Sequence, residues 1–327
     1  MPNKITFATP KTLVQPSGVG LVIEAPQEQD HILGASGPEF QALVKDGQWI
    51  NFIPNSELQR NRNGDTFMCV SYSLNNIHEF LFGMAFNETI NKSDLFLGSG
   101  SGTIRGQGNS KRTVAEWNRL HGFVLETEYP YTPETTLDQA YAPLTRALLD
   151  KGMKQLDFYS FNYKWLADNS AASIMGGLTF SPVQVDVSGS YKTDRNGYIT
   201  WDSNYPTYTH EVMIFGYEKG ICWYVFDSET EQYLKFAWFY PFGSPMIHAV
   251  KKTMNIQILK KKNGSALCIK TFNEPSLIAF SGGDITAETL FKSIYGLTDF
   301  GQIPITLVDE WPFPIRHIFH SQPYQGE

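Results

Sequence analysis

Three residues that lie far apart in the sequence could together perform nucleophilic catalysis: Cys69, His210 and Asp227. A thiol becomes a strong nucleophile when a neighbouring base takes its proton, and histidine is the side chain best suited to do so near neutral pH. A carboxylate beside the imidazole would fix its tautomer and stabilise its protonated form. The alternative for each residue taken alone is a structural role, because single cysteines are often small buried hydrophobic residues.

The element predicted around Cys69 suits a reactive thiol. Apolar residues recur at helical spacing after residue 69, which predicts a partly buried helix over residues 69–82 with Cys69 in its first turn. The residues of this stripe are Val70, Leu74, Ile77 and Leu81. Exposed N–H groups and the helix dipole at a helix start favour the thiolate and so lower the pKa of a cysteine there.

Two neighbouring strands are predicted to carry His210 and Asp227. Residues 208–217 (YTHEVMIFGY) and residues 222–226 have strand composition, and residues 218–220 (EKG) suit a short hairpin turn between them. In such a hairpin His210 lies within one or two residues of directly opposing Asp227. Side chains at that offset are close enough to hydrogen-bond, so the sequence predicts a nucleophile, a base and an orienting carboxylate.

Five segments resemble, in order and spacing, the characteristic segments of papain-like cysteine peptidases over about residues 50–250. Residues 63–73 (NGDTFMCVSYS) resemble the active-site pattern Gln-Gly-x-x-x-x-Cys-Trp-x-Phe-Ser. Residues 107–131 resemble the family's Asn-Gly-Gly stretch and keep its closing Tyr-Pro-Tyr, and residues 181–185 resemble the Gly-Pro-Val-x-Val strand. Residues 209–217 resemble His-Ala-Val followed by Val-Gly-Tyr, and residues 225–228 lie where the family has a Lys-Asn-Ser run.

The resemblance implies an α+β fold of the papain-like type, in which a helical lobe faces a twisted antiparallel β-sheet lobe. It also implies a cysteine peptidase that cleaves peptide bonds through an acyl-enzyme intermediate. By this resemblance Cys69 would attack the scissile carbonyl, and His210 would form its ion-pair partner and later protonate the leaving amine. Asp227 would orient His210 and complete a Cys-His-Asp triad.

The same resemblance implies supporting roles for four further residues. Asn63 takes the position of the glutamine whose amide donates to the oxyanion, although Asn-Gly is also a common turn dipeptide. The backbone of Gly108 and Asn109 matches the glycine pair that hydrogen-bonds an extended substrate. Thr209, directly before His210, is the third expected substrate contact.

Departures from the family pattern leave a second interpretation open. Asp227 replaces an asparagine, and its negative charge should raise the pKa of His210. Val70 replaces the tryptophan that follows the nucleophile, and Glu229 stands where a shielding tryptophan usually lies. The family's disulfide cysteines and long helical propeptide are missing, which implies an intracellular member made without zymogen control. The alternative is a catalytically weakened papain-fold protein with a structural or binding role, such as a bacteriophage virion component.

The sequence predicts three regions. Residues 1–50 are rich in Pro, Gly, Gln and Asp and are expected to form an N-terminal arm, followed by the papain-like domain at 51–252. Residues 253–327 are expected to form a small C-terminal α/β appendage. Within it we predict a hairpin of strands 255–260 and 266–270 around an Asn-Gly turn, a helix at 287–295 and a strand at 303–307.

Composition and motifs exclude several other kinds of site. The formal net charge of −7 argues against a nucleic-acid binder, whose binding face would be basic. Three cysteines without CxxC spacing predict neither a disulfide framework nor a cysteine-rich zinc site. The glycine-rich residues 98–108 lack the Gly-Lys-Ser/Thr ending of a phosphate loop. Prolines upstream of His317 and His320 disfavour the helix that a two-histidine metal site would need, so we expect neither a metal nor a cofactor.

The sequence also carries expectations about location and partners. No apolar run is long enough for a membrane helix, and the first residues lack the apolar core of a secretory signal. We therefore expect a soluble cytoplasmic protein, located in the host cytoplasm or the virion if a phage encodes it. The expected partner is a protein or peptide substrate, with other proteins of a viral assembly in the phage case, and neither nucleic acid nor membrane.

Overall fold

The computed structural model describes the greater part of the chain, which divides into two compact units, Met1–Lys251 and Lys252–Glu327. The described residues are 5–16, 20–24, 26–27, 30, 32–33, 40–52 and 58–252, with four strands at Ile256–Lys260, Leu267–Thr271, Glu274–Ser276 and Ile305–Val308. The predicted three-part division at residues 50 and 252 stays a prediction.

Five of the six α-helices described in the first unit begin after a serine or threonine that caps them. The six helices are α1 (Cys69–Phe86), α2 (Asp94–Gly100), α3 (Lys111–His121), α4 (Leu137–Ala140), α5 (Arg146–Lys154) and α6 (Ala171–Leu178), with short 3₁₀ helices at Ile50–Phe52 and Gln155–Asp157. From α2 to α6, the serine or threonine before each helix accepts the N–H of the third helical residue. Such caps satisfy a backbone donor that the helix itself leaves free.

Helix α1 is the central helix of this unit. It begins at Cys69 as predicted, and nearly all of its residues up to Phe82 are buried. It continues to Phe86, one turn beyond the predicted end at residue 82, and closes at Asn87, whose left-handed backbone lets its N–H bond to the carbonyl of Gly83. The helix therefore extends one turn beyond the apolar stripe, and backbone hydrogen bonds at its end close this last turn.

An eight-stranded sheet faces α1. Its strands in chain order are β3 (Tyr159–Trp165), β4 (Val183–Ser188), β5 (Lys192–Thr193), β6 (Ile199–Thr200), β7 (Tyr208–Glu218), β8 (Cys222–Asp227), β9 (Gln232–Ala237) and β10 (Gly243–Lys252), and their order across the sheet is β3-β10-β4-β7-β8-β9-β6-β5. A separate two-stranded ribbon, β1 (Arg60–Asn61) with β2 (Gly64–Asp65), precedes α1.

The pairing within the large sheet agrees with most of the predicted sheet lobe. Strand β7 is antiparallel to both β4 and β8, and β8 is antiparallel to β9. The predicted sheet was wholly antiparallel, whereas β6 pairs with β9 in parallel through Ile199 and Phe236. The predicted α+β organisation, a group of helices against a twisted sheet, is confirmed.

The helix and the sheet share one hydrophobic core and a polar link. Helix α1 packs against β7 and β4, and the fully buried Phe80 lies in ring contact with Phe215 of β7, with centroids 6.2 Å apart. Near the helix start, the amide of Gln184 on β4 donates to the carbonyl oxygen of Val70 at 3.0 Å and to the hydroxyl of Ser73 at 2.7 Å. These contacts hold the first turn of α1 against the sheet.

The segments before residue 50 run over several parts of this unit. Single parallel bridges join Phe7 to Tyr233 and Leu21 to Asn109. The side chain of Trp49 is fully buried, and its indole N–H donates to the carbonyl oxygen of Leu178 at 2.7 Å. The region predicted as an arm is therefore bonded to the body of the unit at both ends.

The second unit contains a four-stranded sheet. Strand β11 (Ile256–Lys260) is antiparallel to β12 (Leu267–Thr271), which confirms the predicted hairpin, and β12 is antiparallel to β13 (Glu274–Ser276). Strand β14 (Ile305–Val308) lies close to the predicted strand at 303–307 and pairs in parallel with β11. The predicted helix at 287–295 and the pair His317 and His320 lie outside the described residues.

Candidate active site

A sharp turn places Cys69 at the first position of α1. Phe67 has a positive φ of 55°, and its N–H donates to the Oδ1 atom of Asp65 at 2.9 Å. A positive φ is uncommon for a phenylalanine and must be held by its surroundings. Met68 precedes the helix without a side-chain cap. The N–H of Ser71 donates to the carbonyl oxygen of Met68 at 2.8 Å, so the N–H groups of Cys69 and Val70 are the first-turn donors left without an intrahelical partner.

His210 and Asp227 lie on adjacent strands and are hydrogen-bonded. The Nε2 atom of His210 lies 2.8 Å from the Oδ1 atom of Asp227, and both side chains are buried. Met213 opposes Phe226 in the pairing of β7 with β8. The structure therefore brings these two residues together with the small register offset that the sequence predicted.

The thiol of Cys69 completes the group. The side chains of Cys69 and His210 interact, because each shifts the pKa of the other. The Nε2 atom of His210 is occupied by Asp227, and the Nδ1 atom, the remaining ring nitrogen, has no hydrogen-bond partner among the described residues. A thiol beside an imidazole that a carboxylate orients is the arrangement that activates a cysteine nucleophile.

Asp227 is held by more donors than the histidine alone. Its Oδ1 atom also accepts the backbone N–H of Glu229 at 2.9 Å, and its Oδ2 atom accepts hydrogen bonds from the hydroxyls of Tyr191 and Thr230, both at 2.9 Å. Burial alone would raise the pKa of Asp227, but the charge of His210 and these hydrogen bonds hold it below its usual range. The carboxylate therefore stays ionised inside the protein.

The same interactions fix the protonation of His210. Burial alone would lower the pKa of His210, but attraction to the Asp227 carboxylate and the hydrogen bond between them raise it well above its usual range. Burial also raises the pKa of the Cys69 thiol, and the interaction with His210 opposes this rise. Burial of the thiol therefore disfavours the thiolate, whereas a protonated His210 favours it.

Glu229 adds a second carboxylate beside the imidazole. Its Oε2 atom lies 3.6 Å from the Nδ1 atom of His210, and its Oε1 atom lies 3.9 Å from the guanidinium of Arg60. The sequence drew attention to Glu229 only as a replacement for a tryptophan. The protein therefore has a carboxylate beside the Nδ1 atom of His210 where the family pattern has an apolar tryptophan.

A buried group of charges adjoins the thiol on the side of β4. The Nζ atom of Lys111, at the start of α3, makes ion pairs with Asp186 and, at 3.7 Å, with Glu211. Burial raises the pKa of Glu211 well above its usual range, although Lys111 opposes this. This group was not predicted from the sequence. The sequence feature that indicates it is Glu211 within an otherwise apolar strand, because a buried carboxylate needs a charged or hydrogen-bonding partner.

Asn63 lies in an exposed turn. It follows β1, and its amide donates to the carbonyl oxygen of Thr135 at 3.0 Å, while its backbone N–H donates to the Oδ1 atom of Asn61 at 2.7 Å. In this arrangement the amide serves the turn. The predicted role of Asn63 as an oxyanion donor stays a prediction.

The three expected substrate contacts all lie next to an extended segment of the chain itself. The N–H of Asn109 donates to the carbonyl oxygen of Gly20 at 3.1 Å, and the carbonyl oxygen of Asn109 accepts the N–H of Val22 at 2.8 Å. The carbonyl oxygen of Thr209 accepts the N–H of Leu21 at 3.2 Å. Gly108 precedes this edge, with a φ of 85°. The side chain of Asn109 is turned away, because its amide donates to the carbonyl oxygen and hydroxyl of Ser101.

In the described part of the chain, no cluster of three or more histidine, cysteine and carboxylate side chains is arranged to hold a metal ion. None of the helices described combines the length and the apolar character needed to cross a bilayer. Cys69 and Cys222 are both free thiols.

Comparison with known proteins identifies the fold. No protein-family model matches the chain, and no curated protein matches it. Among solved structures, xylellain, a cysteine protease from Xylella fastidiosa, matches with a TM-score of 0.51 at 15% identity, over 72% of this chain and 97% of xylellain. This likeness shows that the chain has a papain-like fold, as the sequence predicted.

Two further structures match less closely. Bromelain from Ananas comosus, solved in complex with an inhibitor, matches with a TM-score of 0.44 at 14% identity, over 62% of this chain and 97% of bromelain. Digestive procathepsin L 3 from the larval midgut of Tenebrio molitor matches with a TM-score of 0.44 at 15% identity, over 68% of this chain and 74% of the procathepsin.

Proposed function

We propose that this protein is a cysteine peptidase that cleaves peptide bonds with Cys69 as nucleophile, His210 as acid and base, and Asp227 as the residue that orients His210. The observation that carries the proposal is the thiol of Cys69 at the first turn of a buried helix, beside an imidazole that is hydrogen-bonded to the Asp227 carboxylate. The papain-like fold supports it, because the chain's fold matches that of a known cysteine protease.

The reaction begins when the thiol of Cys69 gives its proton to the Nδ1 atom of His210 and the ion pair forms. The Sγ atom of Cys69 attacks the carbonyl carbon, and the tetrahedral intermediate carries the negative charge on oxygen. The N–H of Cys69 at the helix start would donate to that oxygen. As the C–N bond breaks, the Nδ1 atom of His210 gives its proton to the leaving amine, and a thioester remains. His210 then takes a proton from water, the resulting hydroxide attacks the thioester carbon, and the C–S bond breaks. The acid product leaves, and the thiolate and the imidazolium are restored.

Two buried carboxylates favour the charged form of the base. Asp227 is hydrogen-bonded to the imidazole, and Glu229 lies 3.6 Å from its other nitrogen. Both stabilise the imidazolium, and an imidazolium stabilises a neighbouring thiolate. Cys69 and His210 therefore supply a nucleophile and a proton donor at the same pH.

The experiment that tests the proposal is covalent labelling of the intact protein with an epoxide or vinyl-sulfone probe, followed by peptide mapping. We expect the probe at Cys69 and release of peptide products from an unlabelled sample. The buried Cys222 is the internal reference, because a probe that reaches only unfolded protein would modify it as well. A thiol at residue 69 that stays inert throughout would favour the alternative of a silent papain-fold structural protein.

The proposal includes a class of substrate but neither a location nor assembly partners. A protein or peptide is the substrate class that a peptidase of this fold requires. A cytoplasmic or virion location and partners in a viral assembly stay predictions from the sequence.

The oxyanion donor can be tested with Asn63→Ala. An amide that swings into the cleft would be worth about 100-fold or more in acylation rate. We expect a change of less than about threefold in turnover and a loss of stability near 1 kcal/mol, since the amide is bonded to Thr135 in an exposed turn. This expectation differs from the one that the sequence resemblance gave. Single-turnover acylation and urea unfolding measure the two quantities, and a 100-fold slower acylation would restore Asn63 as the donor.

A further inference from the structure

The nucleophile and its base lie on different elements of the first unit. Cys69 begins α1, whereas His210 and Asp227 lie on β7 and β8 of the large sheet. Their relative position therefore depends on contacts between the helix start and the sheet. Gln59, directly before β1, makes hydrogen bonds toward both, and its side chain is fully buried. A buried amide is costly unless its donor and acceptor groups are hydrogen-bonded, so the position of such a side chain is well defined.

On the helix side, Gln59 supports the turn that leads into α1. Its Nε2 atom donates to the Oδ1 atom of Asp65 at 2.8 Å, and the same oxygen accepts the N–H of Phe67 at 2.9 Å. The hydroxyl of Thr66 donates to the carbonyl oxygen of Gln59 at 2.9 Å. Phe67 has a positive φ of 55°, a conformation that persists only where the surroundings hold it. Gln59 therefore helps to hold the backbone two residues before Cys69.

On the sheet side, Gln59 is bonded to the residue that follows Asp227. Its backbone N–H donates to the carbonyl oxygen of Ser228 at 3.0 Å, and the hydroxyl of Ser228 donates to its Oε1 atom at 3.4 Å. Ser228 is buried, and the neighbouring Asp227 is hydrogen-bonded to His210 at 2.8 Å. The orientation of the Gln59 amide is fixed on both sides, because a carboxylate accepts hydrogen bonds and a serine hydroxyl can donate one.

These contacts form two arms that start at Gln59 and meet at the reacting groups. One arm runs through the turn to Cys69. The other runs through Ser228 and Asp227 to His210. The thiol and the imidazole at the two ends interact with each other, so the contacts form a closed ring. A change at Gln59 is therefore transmitted to the place where thiol and imidazole meet.

A second glutamine keeps α1 in place when the Gln59 contacts are removed. The amide of Gln184 on β4 donates to the carbonyl oxygen of Val70 and to the hydroxyl of Ser73, both in the first turns of α1. This link does not involve Gln59. Loss of the Gln59 amide should therefore shift the turn before the helix while the helix itself stays packed against the sheet.

We propose that Gln59 is a positioning residue that sets the placement of the Cys69 thiol relative to the His210 imidazole. It acts through Asp65 and Ser228, to which its amide is bonded. The inference rests on the proposed peptidase function, in which thiol and imidazole must react in turn with the same substrate. A misplacement of about 1 Å in such a pair can cost about 100-fold in rate.

The test uses two small reagents that differ in their need for the imidazole. When a thiolate attacks iodoacetamide, the C–S bond forms and iodide leaves, and no proton is required. When it attacks the terminal carbon of methyl vinyl sulfone, the C–S bond forms and the π electron pair moves to the carbon beside the sulfone. That carbanion then takes the proton from the Nδ1 atom of His210. The ratio of the sulfone rate to the iodoacetamide rate at Cys69, located by peptide mapping, reports how the imidazole is placed beside the thiol.

The variants are compared in the full-length protein. Gln59→Met keeps the length of the side chain but removes both of its hydrogen bonds, and we expect the ratio to fall about 10- to 100-fold. The matched control is Gln48→Met, because the half-buried amide of Gln48 donates to the carbonyl oxygen of Tyr217 at 2.9 Å, at the end of β7 remote from His210. We expect its ratio to stay within about twofold of the wild type. Urea unfolding measures the stability of each protein.

An exchange of donor and acceptor provides the rescue. In the double variant Gln59→Glu with Asp65→Asn, the hydrogen bond between the two side chains is kept in the opposite direction. The new amide oxygen can still accept the N–H of Phe67, and the new carboxylate can still accept the hydroxyl of Ser228. We expect the ratio within about threefold of the wild type, whereas Gln59→Glu alone brings two carboxylates together and should lower it. This comparison decides the question if Gln59→Met does not fold.

Three results would overturn the proposal: an unchanged ratio in Gln59→Met, an equal fall in Gln48→Met, or a double variant that regains stability without regaining the ratio. Neither reagent requires hydrolysis of a peptide. A lower ratio in Gln59→Met together with no hydrolysis by the wild type would support the positioning role and contradict the peptidase. Hydrolysis by the wild type with an unchanged ratio would support the peptidase and contradict the positioning role. A Cys69 that reacts with neither reagent in any folded protein would contradict both.

Discussion

Replacing Cys69 with alanine is expected to abolish covalent labelling and to lower peptide hydrolysis by a factor on the order of 10⁵ or more. The reason is that no other group can form the thioester, and removal of the nucleophile eliminates the covalent route as a whole. The measurement is initial-rate hydrolysis of a fluorogenic peptide mixture by the wild type and by Cys69→Ala.

The matched control for Cys69→Ala is Cys222→Ala. Both side chains are free and buried, and Cys222 lies on β8, the strand that ends at Asp227. Each substitution is expected to cost about 1 kcal/mol of unfolding free energy, which is typical of a small buried change. If both variants lose activity equally, the loss comes from stability, and Cys69 has no special role.

The local parts of the site could be predicted from the sequence because each depends on near neighbours in the chain. The helix that begins at Cys69 follows from the apolar spacing of its own residues. The pairing of His210 with Asp227 follows from the length of one hairpin turn. Such signals need no knowledge of how distant elements pack.

Other parts of the site depend on contacts between distant segments. Tyr191 bonds to Asp227 from a different strand, and no periodicity or motif marks a tyrosine as the partner of a buried carboxylate. The extended segment around Leu21 pairs with Asn109 through a single bridge, and no turn or motif in the sequence defines that pairing. The amide of Asn63 bonds within its own turn, which its spacing to Cys69 in the sequence does not indicate, and its predicted role as an oxyanion donor stays a prediction.

Replacing Asp227 with alanine is expected to lower turnover by a factor on the order of 10³ to 10⁴, as loss of an orienting carboxylate does in a catalytic triad. The structure also predicts a large loss of stability. Asp227 accepts hydrogen bonds from His210, Tyr191, Thr230 and the backbone of Glu229, all of them buried. Each donor left without a partner costs about 1–3 kcal/mol. Alanine therefore cannot separate the catalytic role from the structural one.

Asp227→Asn separates them. An asparagine keeps an oxygen that accepts from the Nε2 atom of His210, and the hydroxyls of Tyr191 and Thr230 can rotate to accept from its N–H₂ group. We expect turnover within about tenfold of the wild type at the optimum, because an asparagine oxygen can orient the histidine of a thiol–imidazole pair, as in the Cys-His-Asn arrangement of papain-like proteases. A loss as large as that of Asp227→Ala would mean that the charge itself is required for activity.

The pH dependence shows what the charge of Asp227 does. It raises the pKa of His210, and the reactive ion pair exists only below that pKa, so Asp227→Asn should move the alkaline limit of labelling to lower pH. Glu229→Gln is the matched control. The Glu229 carboxylate lies 3.6 Å from the Nδ1 atom of His210, beyond hydrogen-bond distance, so its removal should shift the alkaline limit of labelling less.

Stability should follow the same charges, with opposite signs for the two partners. The raised pKa of His210 contributes stability that is complete below about pH 6.5, its unfolded value, and that is lost as pH rises through the folded pKa. The lowered pKa of Asp227 contributes stability above about pH 3.9 that is lost as pH falls through its folded pKa. Asp227→Asn removes its own contribution outright and diminishes that of His210. Thermal unfolding below about pH 3.9 and above about pH 6.5 should therefore depend less on pH in the variant, and an unchanged profile there would show that the buried pair is not ionised.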